Sequence, residues 1–425
     1  MTLTASGRLY GLGAIILAAL VTCSRVGFGT PSFVVGLGIA GIAYLLAVRE
    51  FFRTRRFPRQ VVFTCLTLAA LWRIPFLMIP AGADDDIRRY LWDGRVQRLG
   101  YNPYNVIPAD PALAGLHTPE TRGLNNPEVP SPYPAGAQLF FRAVTSLHES
   151  VFAFKVAFVA CDLAIVLLLI SVLRRSGQGE QWALVYAWHP LLAPNVIGSG
   201  HVDIVGALLL LVSFAALGRR WRMTAALTLG LAVAVKFLPI VLAPLYWRRV
   251  RIRDVLVSTF VVGMSYAPFL EHWRIPIGSL GVYIQRFRFN DPIFGAIERI
   301  ASPLVAAGLA ALVGLATAVW LRRKQEAPCL NAWAWPMAAS LACAPVVYPW
   351  YLLWLLPFLR STSTLPLMVW TVSILPTCVV WHLRSLGRAW QVPGWVLLLE
   401  YGSVAIAIAI LWLRALVQPI VQAQP

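Results

Sequence analysis

Apolar residues run through this chain in long stretches broken by short polar turns, without the alternation that marks half-buried strands. The runs recur near the roughly 20 residues needed to cross a hydrocarbon core, where only helices and closed barrels satisfy their own backbone groups. The pattern predicts an all-α polytopic membrane protein. Spans are expected near 10–28, 32–49, 60–80, 150–172, 182–199, 203–218, 254–270, 301–321, 329–347, 349–360, 363–382 and 394–414, about twelve crossings. The stretch 223–246 differs, because basic turns flank both ends and it is too short for two full spans. A broken re-entrant hairpin is the economical reading, with its break at Val235-Lys236-Phe237-Leu238-Pro239.

Composition narrows the class further. With 59% hydrophobic residues, 17 Trp and 20 Phe among 425 residues, the chain has more apolar surface than a soluble core can bury, and reads as one integral membrane domain over 1–425. A net charge of +18 could suggest nucleic acid, but the arginines sit between spans and report topology instead. Arg49, Arg53, Arg55, Arg56 and Arg59 form the strongest basic turn, joined by Arg174 and Arg175, by Arg219, Arg220 and Arg222, by Arg248, Arg249, Arg251 and Arg253, and by Arg322, Arg323 and Lys324. These turns and both termini are expected in the cytoplasm. Residues 81–149 then form the long outer loop and 271–300 a second outer segment, with smaller outer stretches at Gly200-His201-Val202-Asp203, Tyr348-Pro349-Trp350 and Trp381 to Pro393. Leu20-Val21-Thr22-Cys23 faintly resembles a lipoprotein cleavage site, but an uncleaved first span fits the topology better. The six cysteines lack paired or ligand-like spacing and read as small hydrophobes.

Only 13% of residues are charged, so one loop is conspicuous: Asp84-Asp85-Asp86 followed by Ile87-Arg88-Arg89-Tyr90-Leu91-Trp92-Asp93-Gly94-Arg95-Val96-Gln97. Ile87, Leu91, Trp92, Val96 and Leu99 recur at helical steps, predicting a short helix over 85–99 lying along the membrane surface with Trp92 at headgroup level. Gly100 and Asn102-Pro103 end it. The aspartates occupy its first turn, where one can serve as a cap. Three exceed what capping needs, and a carboxylate there can take a proton from an attacking hydroxyl, which makes Asp85 and Asp86 the candidate bases. Asp93 either orients a substrate or pairs with Arg89 or Gln97. A divalent cation is a minor alternative, since hard metals want more oxygens than adjacent helical positions supply, and no cofactor is expected.

The stretch Asp85 to Gln97, followed by Gly100-Tyr101-Asn102-Pro103-Tyr104, resembles the first outer loop of bacterial polyprenol-phosphate-dependent glycosyltransferases of the C superfamily (GT-C fold), in particular the mannosyltransferase branch that includes the GPI-mannosyltransferase-like proteins. Pro130-Ser131-Pro132-Tyr133-Pro134, Gly200-His201-Val202-Asp203, Ala234 to Pro239 and Tyr348-Pro349-Trp350-Tyr351-Leu352-Leu353-Trp354 are similar to further motifs of that family, in order. The chain departs from the pattern at Arg88, at Pro134-Ala135 and at Val202, which bears on the acceptor and the donor sugar. The resemblance implies a first-loop aspartate base, a polyprenyl-phosphate sugar donor met at the outer leaflet, no required metal, and Lys236 as a donor-phosphate contact.

The chemistry of that class needs cations for the departing phosphate, and Arg88, Arg89, Lys236, Arg286 and Arg288 are available. Asp84, Asn102, Tyr133, His201, Asp203, Tyr348 and Trp350 complete the candidate substrate contacts. Of these, Asp203 also reads as an ordinary N-cap, and Tyr348 and Trp350 also read as an aromatic belt. One base and a cationic clamp suit an inverting single displacement, unlike a hydrolase with two opposed carboxylates. The expected acceptor is a hydroxyl of a cell-envelope glycolipid or glycan. A flippase of lipid-linked sugars and an envelope glycan polymerase or ligase are the alternatives, and the missing internal repeat argues against the first.

Overall fold

A computed structural model of the protein describes residues 4–54, 56–80, 86–271, 276–325 and 328–422. Asp84 and Asp85 therefore lie outside the described residues. Among those described there is no strand; Phe289 and Val346 form an isolated parallel bridge. The chain begins with three long helices, α1 (Ala5–Cys23), α2 (Pro31–Arg53) and α3 (Arg59–Met78), followed by α4 (Asp86–Arg98), α5 (Ala135–Leu147) and α6 (Val151–Arg175). Next come α7 (Ala183–Ala187), α8 (Asp203–Gly218), α9 (Arg222–Val235), α10 (Ile252–Ser265), α11 (Leu280–Arg286) and α12 (Pro292–Glu298). The last third holds α13 (Pro303–Lys324), α14 (Asn331–Ala342), α15 (Leu365–Ser373), α16 (Val379–Ser385) and α17 (Gly394–Gln422).

Seven stretches among the described residues are long and apolar enough to cross a membrane: α1, α2, α3, α6, α13, α17 and the run Thr362–Ser385. An eighth is counted if Leu192–Gly198 and α8, bent by 110°, form one broken span. Among the described residues, then, seven or eight of the about twelve expected crossings are single helices of spanning length. The shortfall falls at 182–199, 254–270, 329–347 and 349–360, each of which carries proline. Proline removes a backbone donor and clashes with the preceding turn, so these runs divide into short α, π and 3-10 pieces that hydropathy alone cannot tell from spans.

The segment after Arg222 behaves as a hairpin. Pro239 leaves the Val235 carbonyl without its helical partner, α9 ends there, and Lys236 is extended at φ −153°, ψ 144°. The chain returns as a 3-10 helix over Leu238–Tyr246. At 1.5 Å and 2.0 Å per residue, the two arms reach about 21 and about 18 Å, so they start and finish at similar depth. Arg220, Arg222, Arg251 and Arg253 accordingly border one shallow cleft.

The other basic turns gather in the same manner. Arg56 donates to the Gly177 carbonyl at 3.3 Å, Arg360 to the Gln178 side chain at 2.5 Å, Arg249 to the Gln325 carbonyl at 3.0 Å and Arg322 to the Trp247 carbonyl at 2.9 Å. Helices α3, α8 and α9 each have one end at an arginine turn, and their opposite ends lead to Asp86, Asp203 and Lys236.

Helix α4 spans nearly the range expected but does not lie on a surface. Ile87, Leu91, Trp92 and Val96 are fully buried, and of the expected apolar face only Leu99 is exposed. Trp92 stacks on His117 at 4.1 Å under the outer loop, and Tyr90 stacks on Phe141 of α5 at 4.5 Å. Residues 106–124 cover the face that periodicity alone assigns to lipid headgroups.

Candidate active site

Asp86 opens α4 at the edge of a cleft of about 830 Å³, which lies within the range of roughly 300–1,000 Å³ typical of ligand sites. Its Oδ1 accepts from the Asn125 amide at 2.8 Å, and its Oδ2 lies 3.6 Å from His201 Nδ1. Gly200 makes that approach possible: its φ is +76°, and a Cβ there would sit 2.4 Å from Ile87 Cδ1. Burial pushes the Asp86 carboxyl up, but hydrogen bonding and charge from His201, the Asn125 amide and the charge of Lys236 outweigh it and hold the group below the usual carboxylate range. With the folded value below the unfolded one, the stability this group contributes is fully present above the ordinary carboxylate pKa and is lost as pH falls through the lowered value. The acid limb of a rate profile that depends on ionised Asp86 is expected below about pH 4. His201→Asn should move that limb upward, which a pH series of initial rates would show; an unmoved limb would separate His201 from the titration.

Behind Asp86 lies a buried polar layer. His201 is fully buried and stacks on Trp350 at 3.9 Å with 9° between planes, and Trp350 stacks on Tyr348 at 4.4 Å. Asp203, also fully buried, receives Lys236 Nζ on both oxygens at 2.8 Å and the Trp354 indole at 2.6 Å. It is the first residue of α8 but not its cap. Gly206, one turn on, admits the Trp354 ring where a Cβ would lie 1.8 Å from it. Lys236 also stands 4.0 Å over the Tyr351 ring, and the Tyr351 hydroxyl bonds that of Tyr283 at 2.7 Å. His201, Asp203 and Lys236 are not on the cleft lining themselves; they touch residues that are, or lie one contact behind them.

The remaining predicted residues divide by how their polar atoms are used. Arg89 lines the cleft, yet it donates to Asp93 at 3.0 Å and to the Val129 carbonyl at 3.0 Å. Asp93 is fully buried and also accepts from Ser131 at 2.5 Å and Gln138 at 2.9 Å, so it ties α4 to the outer loop and α5 and pairs with Arg89 rather than facing substrate. Arg88 is off the lining and donates to the Arg122 carbonyl at 3.1 Å. Asn102 joins the two outer segments through the Phe269 carbonyl at 3.0 Å and Glu271 at 3.1 Å. Arg288 lines the cleft with its charge met by Glu298, at 2.5 and 2.9 Å. Tyr133, Tyr348, Trp350 and Arg286 all line it. Among the described residues, no three His, Cys, Asp or Glu side chains are grouped to hold a metal ion.

Several lining residues carry no local sequence signal. Asn125 has no pattern around it, and Tyr283, Trp381, Arg384 and Trp390 come from segments far along the chain. Arg384 and Arg286 are exposed and make no hydrogen bond or ion pair among the described residues. They are the cleft's uncompensated guanidiniums. The arginines of the Trp381 to Pro393 stretch are the available hint in the sequence.

Among the described residues the chain is a helical bundle with apolar helices long enough to cross a membrane, and one cleft holds the Asp86 carboxylate together with two exposed arginines. Residues 8–250 match the family described as Alpha-(1->6)-mannopyranosyltransferase, N-terminal domain, and the chain belongs to that family. It is also 30% identical over 164 residues to the Alpha-(1->6)-mannopyranosyltransferase Rv1459c of Mycobacterium tuberculosis, a stretch covering 35% of this chain and 26% of that relative. No solved structure matches. The family match includes Asp86, His201, Asp203 and Lys236, whereas Arg286, Tyr348, Trp350 and Arg384 fall outside it.

Proposed function

We propose that this protein transfers mannose from a polyprenyl-phosphate donor to a hydroxyl of a cell-envelope glycolipid or glycan, at the outer face of a bacterial plasma membrane with both termini in the cytoplasm. The observation that carries the reading is the shared cleft: Asp86 held ionised, with Arg286 and Arg384 available to an anion. The attacking hydroxyl gives its proton to the carboxylate, its oxygen bonds the anomeric carbon, and the bond to the phosphate oxygen breaks, leaving a polyprenyl phosphate whose charge the guanidiniums receive. Displacement in one step inverts the anomeric centre, so an α-mannoside product requires a β-linked donor. Lys236, one contact behind the lining and already met by Asp203, tunes Asp86 and braces the wall instead of holding phosphate directly. The acidic block gives the reaction its base.

Purified protein supplied with radiolabelled polyprenyl-phosphate mannose and a membrane-lipid extract should label a lipid or glycan product, and glucose or galactose donors should label less. Absence of transfer from any lipid-linked hexose would overturn the enzyme reading. Hydrogen bonds to charged groups contribute about 1.5–3 kcal/mol, so Arg286→Gln and Arg384→Gln should each raise the donor KM by roughly 10- to 100-fold. Arg288→Gln, whose charge serves Glu298, should raise it by far less. Equal effects at all three positions would mean that free charge does not decide donor binding.

A further inference from the structure

Glu400 lies in α17, the least buried of the spanning-length apolar helices, yet is itself fully buried. A carboxylate inside a membrane span is costly and calls for a specific partner. Glu400 has two. Both its oxygens accept from the Asn290 side-chain amide at 3.0 Å, and Oε1 also accepts from the Trp370 indole at 2.6 Å. Its neighbour Tyr401 donates to the Asn290 carbonyl at 3.2 Å.

Asn290 is a non-glycine residue at φ +53°, a conformation that needs outside support. The turn it makes adjoins the bridge between Phe289 and Val346. Phe289 N–H donates to the Pro345 carbonyl at 3.1 Å, Val347 N–H donates to the Phe289 carbonyl at 2.9 Å, and the Asn290 amide reaches the Val347 carbonyl at 3.4 Å. On one side of this bridge the chain carries Arg286. On the other it carries Tyr348 and Trp350, which end on His201 and so on Asp86. The Phe289 ring packs on Tyr348 at 4.5 Å.

We propose that Glu400 is a positioning residue for transfer: through Asn290 it locks the 286–290 turn to the 345–350 segment, setting the cleft wall that holds the donor against the base. The proposal rests on the transferase reading for its kinetic consequence, but the lock itself is readable without any reaction.

The test uses the full-length protein in detergent. Glu400→Gln sets an NH2 group in place of Oε2, facing the Asn290 amide, so that bond becomes two donors face to face and the one remaining oxygen is shared between Asn290 and Trp370. Asn290→Asp combined with Glu400→Gln restores the bond to α17 with reversed polarity, because the amide introduced on α17 then donates to the new carboxylate of the turn while its carbonyl oxygen still accepts from Trp370; only the longer 3.4 Å bond to the Val347 carbonyl is given up. Hydrogen exchange at the Phe289 and Val347 amides should speed up at least 10-fold in Glu400→Gln, and the double variant should recover at least threefold of that loss. The donor KM with polyprenyl-phosphate mannose should follow the same pattern, rising about 10-fold with a smaller change in kcat. Trp370→Phe, which removes the other donor to Glu400, should leave both readouts near wild type. Unchanged exchange in Glu400→Gln overturns the lock, as does a folded double variant that is not restored, or a Trp370→Phe as impaired as Glu400→Gln. If Glu400→Gln cannot be purified, recovery of folded protein in the double variant supports the lock and failure of that recovery overturns it. Wild-type protein that shows the exchange pattern but transfers no mannose would instead remove the transferase reading and leave the lock standing.

Discussion

Asp86→Asn is expected to lower the turnover of mannosyl transfer by about 10²- to 10⁴-fold, the range for losing a positioned general base. The substitution keeps the shape of the side chain, and its remaining carbonyl oxygen can still accept from Asn125. Donor binding should therefore hold within a few-fold, because the arginines and aromatic rings of the cleft are untouched. A carboxylate held below its ordinary pKa is a weak base, but it is fully ionised at neutral pH, which suits a reaction in which the proton leaves as the sugar oxygen bond forms. Initial rates with labelled donor, together with donor binding by intrinsic tryptophan fluorescence, separate the two effects. Asp85→Asn must be measured beside it. If Asp85→Asn loses activity and Asp86→Asn does not, the base is Asp85 and Asp86 braces it; full activity in both variants removes the carboxylate mechanism.

The second large effect is on stability. Lys236→Met leaves the fully buried Asp203 with the Trp354 indole as its remaining side-chain donor among the described residues, and breaking a buried pair in this way costs about 3–5 kcal/mol. The lysine side chain retains 21% exposure, which places the expected loss toward the lower end. Asp203→Asn combined with Lys236→Met removes both charges and should be milder than the two single losses added together, since partners in one ion pair are not additive. Thermal unfolding of the detergent-solubilised variants provides the measurement. A Lys236→Met protein as stable as wild type would show that the pair is slack, and a raised donor KM in that stable protein would return Lys236 to the phosphate. The same lysine tunes Asp86, so Lys236→Met by itself should also shift the acid limb of the rate profile upward.

The elements most legible in the sequence are those with strong local signals. Continuous apolar runs mark the long spans, and Gly100 with Asn102-Pro103 marks the end of α4 at Arg98. Pro239 marks the break at Lys236 for the reason found in the backbone, the lost donor. The span count is less legible, because hydropathy sums apolarity without asking whether proline allows a helix to continue. The environment of α4 is not legible either. Its apolar stripe is real, but whether it meets lipid or the outer loop depends on residues 111–124, which have no periodic link to it.

The order of residues alone determined that this chain is a helical membrane protein, where its charged turns fall, and that Asp86 stands in its most conspicuous charged block. These follow from the cost of bare backbone in hydrocarbon and from the rarity of charge in an apolar chain. Only the tertiary structure decided which cations are spent and which are free. Lys236 and Arg288 are matched by Asp203 and Glu298, while Arg286 and Arg384 face the cleft. Charge compensation is a property of distances between residues far apart in the chain, and no local pattern records it.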